Sequence, residues 1–224
     1  MAVKSYAQVG EDLQIAYLLG RNKGIHYIDV GCLWPMKLSN TYFFYERGGS
    51  GLCIDANPSA RVEYETARPR DTFLNVGLSD NPGQLDYYSY TNPVFNTFSP
   101  DRARFVQKKS AKRTGRDLVE IVEIPVTTLD DAIKQTAFAE RCDGRLDFIT
   151  IDVEGLEREV IAGFSFDCLR PRLLICEHIR RRREEMPVEG SPLVADLARH
   201  GYWLAAYTGH DAYFLDAGGE SARR

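Results

Sequence analysis

Two short apolar runs, each closed by an aspartate, constrain this chain more than any other feature: His26–Gly31 (HYIDVG) and Leu52–Asn57 (LCIDAN). A continuous apolar run bounded by glycine reads as a strand buried on both faces, which is the habit of parallel sheets. Parallel neighbours need a crossover between them, usually a helix. In open sheets of this kind, ligands sit outside the carboxyl ends of the strands, near the point where the strand order reverses. Asp29, Gly31 and Asp55 fall at those ends. A carboxylate closing the second strand suits a ribose diol, because it accepts a hydrogen bond from each hydroxyl.

The remaining segments continue the alternation of helix and strand. Gln8 to Leu19 carries a helical apolar stripe, with Glu11 and Asp12 in its first turn, where the helix dipole favours anions. Ser39 to Arg47 reads as a helix closed by Gly48 and Gly49, and Asn57-Pro58 can start another. Thr72–Leu78 is a third strand ending at Ser79-Asp80, and Gln84–Tyr90 a hairpin partner after Asn81-Pro82-Gly83. Val119–Val126 resumes strand-like alternation, and Leu129–Thr136 is helical. Asp147–Val153 and Leu173–His178 are further strands flanking a helix at Leu156–Ala162, and Leu193–His200 is the last helix. Gly201–Tyr207 and Asp211–Leu215, around Thr208-Gly209-His210, form a terminal hairpin. The pattern predicts one doubly wound Rossmann-like α/β domain over residues 1–216, with a mostly parallel seven-stranded sheet and a terminal antiparallel hairpin. Residues 217–224 read as a mobile tail. Residues 91–120 lack an apolar period and read as an acceptor-binding or lid loop.

A net charge of −4 gives no electrostatic case for nucleic acid. No apolar run approaches the ~20 residues of a membrane span, and no signal-peptide pattern opens the chain. Cys32, Cys53, Cys142, Cys168 and Cys176 are odd in number and form no CxxC, so they read as reduced, buried thiols. A cytoplasmic location is therefore expected.

With these elements in order, the sequence resembles the FkbM-type methyltransferases that use S-adenosylmethionine. The blocks that carry the resemblance are SYAQVGED at Ser5–Asp12, the run Tyr27–Pro58, NVGLSD at Asn75–Asp80, VTTLDDAI at Val126–Ile133 and DFITIDVEGLEREVIAGF at Asp147–Phe164. The resemblance covers roughly Ser5 to Ile179. The terminal hairpin is also the usual finish of class I methyltransferases. One departure stands out. Many methyltransferases place a GxG loop after the first acidic strand, whereas here Gly31 is followed by Cys32-Leu33-Trp34-Pro35.

The resemblance implies roles for residues at the strand ends. Gly31 would let the backbone approach the cofactor closely, and Asp29 would orient that loop or reach the cofactor's ammonium group. Asp55, 24 residues after Gly31, would hold the ribose diol, with Ala56 and Asn57 beside the adenine. Ser79 and Asp80 could bond the adenine amino group, although a turn-initiating Asp80 explains the same residues. Asp152 and Glu154 would face the meeting point of cofactor and acceptor, or Glu154 and Glu157 merely occupy the first turn of a helix. Methyl transfer to a hydroxyl needs a proton acceptor, and His178 at the end of a central strand is the candidate base, with Asp152 or Glu177 as substitutes. A divalent metal held by Asp152, Glu154, Glu177 and His178 is a less favoured alternative. Asn92–Ser99 (NPVFNTFS) offers amides and phenylalanines to an acceptor. The basic residues around it, Arg102, Arg104, Lys108, Lys109, Lys112, Arg113 and Arg116, read as a solvated surface, as do Arg180–Arg183. Ser5–Asp12 reads as a lid over the cofactor or a cap on the sheet edge.

The resulting expectation is methyl transfer from S-adenosylmethionine to a hydroxyl of a small molecule, a sugar or secondary metabolite, with no nucleic-acid or membrane partner. Two alternatives stay open. A nicotinamide-dependent sugar-modifying enzyme would also want Asp55, but the glycine fingerprint and a helical Tyr-x-x-x-Lys pair are missing. A binding module would hold the cofactor without turning over any acceptor.

Overall fold

The computed structural model describes residues 3–110, 115–167, 169–178 and 188–218. Cys168, Lys112, Arg113, the Arg180–Arg183 run and the tail from 219 onward lie outside the described residues. The elements follow the chain as α1 (Glu11–Leu19), β1 (His26–Val30), α2 (Tyr42–Tyr45), β2 (Ser50–Ile54), α3 (Ala60–Ala67), β3 (Thr72–Leu74), β4 (Gly77–Leu78) and β5 (Gly83–Tyr90). They continue with α4 (Pro100–Ser110), β6 (Leu118–Thr127), α5 (Leu129–Gln135), α6 (Phe138–Arg141), β7 (Phe148–Ile151), α7 (Glu157–Ala162), β8 (Leu173–Glu177), α8 (Pro192–Arg199), β9 (Tyr202–Tyr207) and β10 (Asp211–Asp216).

Seven strands form one sheet in the order β3-β2-β1-β7-β8-β10-β9. All neighbours from β3 to β8 run parallel, and β10 runs antiparallel to both β8 and β9. The expected doubly wound sheet with its terminal hairpin is therefore present. The strand order reverses between β1 and β7, which puts the switch point beside Gly31 and Asp152.

Both faces of the sheet are covered, and successive strand residues divide between two cores. Ile28, Leu52, Ile149, Leu174 and Phe214 pack into one, while Tyr27, Cys53, Phe148, Ile175 and Tyr213 pack into the other. This two-sided burial is why the strands read as unbroken apolar runs. Two helix starts are capped by a hydroxyl: Thr128 accepts from the Asp131 amide at 3.1 Å and opens α5, and Ser191 accepts from the Val194 amide and opens α8. Cys32, Cys53, Cys142 and Cys176 are buried free thiols.

Two stretches differ from expectation. The run Thr72–Leu78 is not one strand, because the main sheet ends at Leu74 and Gly77–Leu78 join β5 and β6 in a separate three-stranded sheet. The break is made by Asn75, whose amide donates to the carbonyls of Asp55 (2.7 Å) and Asn57 (3.0 Å) and turns the chain away from the ladder. The segment 91–120 is not a loop throughout. Pro100–Ser110 form α4, whose buried face rests on Ala103 and Val106, too narrow a stripe to register as periodic. No helix of the described residues is long and apolar enough to cross a membrane.

Candidate functional site

A cleft of about 250 Å³, partly open to solvent, runs along the carboxyl ends of β2, β1, β7 and β8. That is just below the range for enclosed small-molecule sites, roughly 300–1,000 Å³, and the cleft continues into open solvent. Asp55 and Glu177 stand at the ends of β2 and β8, three strand spacings apart, or about 14 Å. An elongated ligand would be needed to touch both.

The β2 end is mostly apolar, lined by Leu33, Ile54, Ala56, Val76 and Leu78. Among the described residues Asp55 is its one carboxylate, buried at 8% exposure. One carboxylate oxygen accepts from the Leu33 amide and the other from the Asn57 amide, both at 2.7 Å. Burial raises its pKa, and those two hydrogen bonds oppose the rise. Each oxygen keeps a further acceptor position. Asn57 itself does not line the cleft, because its side-chain oxygen caps the start of α3 by accepting from the Ser59 amide and hydroxyl.

At the switch point Gly31 has φ +80°, and a Cβ there would lie 1.8 Å from the Asp152 carbonyl oxygen. Asp29 opens onto a small side chamber that also touches Gly31, Asp152 and His210. Thr41 donates to Asp29, and burial pushes the Asp29 carboxyl up to about 6 against the lowering pull of Arg68. Ser79 and Asp80 do not reach the cleft. The break at Asn75 gives their expected place to Val76 and Gly77, Asp80 faces a surface groove beside Arg158, and Ser79 bonds Asp80 instead.

The β7–β8 end is acidic. Asp152, Glu154 and Glu177 line it with Arg102, whose guanidinium pairs with the Glu154 carboxylate. Burial pushes the Glu177 carboxyl up to about 10, aided by the charges of Asp152, Glu154 and Glu157. Asp152 is likewise raised, by burial first and then by Glu154, Glu157 and Asp211. Glu157 is spent on the turn that leads into α7, since its Oε1 accepts from the Val153 and Gly155 amides. Arg102, expected on a solvated surface, is instead a wall of the cleft. The segment before it supplies Pro93 to Phe98 as a roof, fastened where the Thr97 hydroxyl donates to the Glu154 carbonyl at 2.9 Å.

His178 does not line the cleft. It lies one residue past β8, where its amide donates to the His210 carbonyl and its own carbonyl accepts from Tyr207. The histidine in the wall is His210, from the β9–β10 turn. The signal for it lay in the hairpin. Antiparallel pairing of Asp211 with Glu177 brings the start of β10 to the carboxyl end of β8. Gln8 also lines the cleft, so part of Ser5–Asp12 lies against it. That segment is pinned by Asp12, which accepts from the Ser5 hydroxyl and the Tyr6 amide.

Among the described residues, two three-residue groups have ligand atoms within 4.8 Å of one another, Asp152–Glu157–Glu177 and Glu11–His210–Asp211. Of the four expected ligands only Asp152 and Glu177 fall in one. Each group contains a carboxylate already committed to backbone amides, Glu157 as above and Glu11 by the Val9 amide, and neither group is assigned a metal.

The profile of the methyltransferase FkbM domain matches residues 19–204. No curated protein matches the sequence. Among the solved structures similar to it are two methyltransferases. A candidate RNA methyltransferase from Pyrococcus horikoshii is 11% identical with a TM-score of 0.44, over 94% of this chain and 82% of that one. A precorrin-6y C5,15-methyltransferase from Geobacter metallireducens is 11% identical with a TM-score of 0.45, over 96% and 94%.

Proposed function

Given that this chain belongs to the FkbM methyltransferase family, we propose that it transfers a methyl group from S-adenosylmethionine to a hydroxyl of a small polyhydroxylated molecule, such as a sugar or secondary metabolite. The observation that carries this reading is the division of one cleft into an apolar end holding a lone carboxylate and an acidic end. The apolar end fits a nucleoside. Asp55 has acceptor positions left for two ribose hydroxyls, and Ile54, Ala56 and Val76 offer flat apolar cover to an adenine. Asp29 and Gly31 stand where the amino-acid portion would extend along the switch point.

Bound there, S-adenosylmethionine supplies an already activated methyl group on a sulfonium. The work left to the protein is positioning, exclusion of water and care of the hydroxyl proton. Asp152 and Glu177 are suited to orienting the acceptor hydroxyl. With its carboxyl raised to about 10, Glu177 is neutral near pH 7 and donates a hydrogen bond rather than taking a proton. Phe95 and Phe98 offer apolar faces to the carbon skeleton of a sugar. The acidic end also disfavours a polyanionic acceptor, which argues against nucleic acid.

Calorimetric titration with S-adenosylhomocysteine tests the cofactor. Micromolar binding is the expected result, equivalent to about 8 kcal/mol. A folded protein that ignores this ligand but binds a nicotinamide dinucleotide would overturn the reading.

A further inference from the structure

We propose that His210, held by Asp211, is the base that accepts the acceptor's hydroxyl proton; this rests on the methyl-transfer reading above. Among the described residues, His210 is the one histidine that lines the cleft. His26 sits at the opposite, amino end of β1, and His200 stacks on Phe166 with ring centroids 4.5 Å apart.

The turn that carries His210 is tightly held. The Thr208 hydroxyl accepts from the Asp211 amide at 3.1 Å, and the Thr208 amide donates to the Asp211 carbonyl at 3.1 Å. Asp211 is buried at 4% exposure, and its Oδ2 lies 3.2 Å from His210 Nδ1. That contact fixes the tautomer, with the proton on Nδ1 and a lone pair on Nε2. Nε2 lies 3.8 Å from Glu177 Oε1, outside hydrogen-bond distance, and a hydroxyl entering the acidic end would meet it.

The groups facing the ring are anionic or acidic on every side. Asp211 comes from the start of β10, Glu177 from β8, Asp152 from the turn after β7 and Glu11 from α1. The Asp211 hydrogen bond is the main cause of a raised His210 pKa, burial opposes it, and Asp152 and Glu11 add to the rise. In the transfer, the acceptor oxygen forms its bond to the methyl carbon while its proton passes to Nε2. The carbon–sulfur bond breaks with its electron pair on sulfur, leaving a neutral thioether. The imidazolium then returns the proton to water across its exposed face, where 26% of the side chain is accessible.

The test is an NMR titration of the histidine rings, with His210→Gln to assign the resonance. Three results are expected. The free protein shows His210 titrating above ~6.5, with the neutral ring protonated on Nδ1. With S-adenosylmethionine bound, the pKa is at least about 0.5 lower than with S-adenosylhomocysteine, because only the first carries a positive sulfonium near the ring. Calorimetry on His210→Gln shows S-adenosylhomocysteine affinity within a factor of two or three of the wild type. A neutral ring protonated on Nε2, or the same pKa with both ligands bound, would overturn the base assignment. Failure of both ligands to bind the wild type would instead remove the methyl-transfer reading on which the proposal rests.

Discussion

The backbone of Gly31 packs so closely on the carbonyl of Asp152 that a Cβ at residue 31 would lie 1.8 Å from that oxygen. The contact joins the ends of β1 and β7 across the switch point, and it gives Gly31 a structural reason to be glycine besides any ligand. A side chain there must displace backbone and also occupy φ +80°. Gly31→Ala is therefore expected to cost about 2–4 kcal/mol, combining overpacking with a left-handed residue. Urea denaturation measures it. An unchanged midpoint would mean that the two strand ends separate freely.

The clasp on Asp55 makes a separate prediction. Both of its oxygens hold backbone amides, and on the proposed function their remaining acceptor positions receive the ribose hydroxyls. In Asp55→Asn, one oxygen is replaced by a donor that faces the Leu33 or Asn57 amide, and the charge is lost. Hydrogen bonds to charged groups contribute roughly 1.5–3 kcal/mol, so affinity for S-adenosylhomocysteine should fall about 10- to 100-fold. Unchanged calorimetric affinity with unchanged circular dichroism would reduce Asp55 to a loop clasp.

The parts of this fold that sequence reveals are those set by local pattern. The apolar strands, the helices between them and the terminal hairpin follow from periodicity, and Asp55 follows from its place at a strand end. What periodicity misses is decided by contacts made after the chain has folded. Asn75 cuts a strand in two by bonding the carbonyls of Asp55 and Asn57, and so moves Ser79 and Asp80 out of the cleft. The pairing of Asp211 with Glu177 chooses His210 over His178, although His178 is the residue in sequence with β8. Arg102 looks like one of many surface cations until its pairing with Glu154 draws it into the wall.

Arg68 is almost fully buried, at 1% exposure, and its cost is met by a dense set of partners. Its guanidinium bonds Asp71 (2.7 Å), the Pro35 carbonyl (3.1 Å), the Tyr27 hydroxyl (2.9 Å) and the Thr41 hydroxyl (3.0 Å). Arg68→Met leaves the Asp71 carboxylate buried without its counter-ion, a loss of about 3–5 kcal/mol. Arg68→Lys should recover only part, because an ammonium cannot span the same partners. Thermal and urea denaturation of the two variants checks the order. If Met proves as stable as Arg, the network contributes specificity alone.

Asp29 should leave a mark on the pH dependence of stability. Its carboxyl is raised to about 6 in the folded chain, chiefly by burial, against 3.8 for the ordinary group. A raised carboxyl binds its proton more tightly when folded, so its contribution is fully present below about pH 4. It is lost as pH rises through about 6, a decline of roughly 3 kcal/mol. Asp29→Asn mimics the protonated form at every pH. The variant should therefore lack this decline and be more stable than the wild type at pH 7 by up to about 3 kcal/mol, while matching it near pH 3.5. Taking the difference between the two proteins' urea-denaturation profiles from pH 3.5 to 7 cancels the other titrating groups. A difference that stays flat across that window would mean that Thr41 and Arg68 hold the Asp29 carboxylate ionised at no cost, and that its burial is fully compensated.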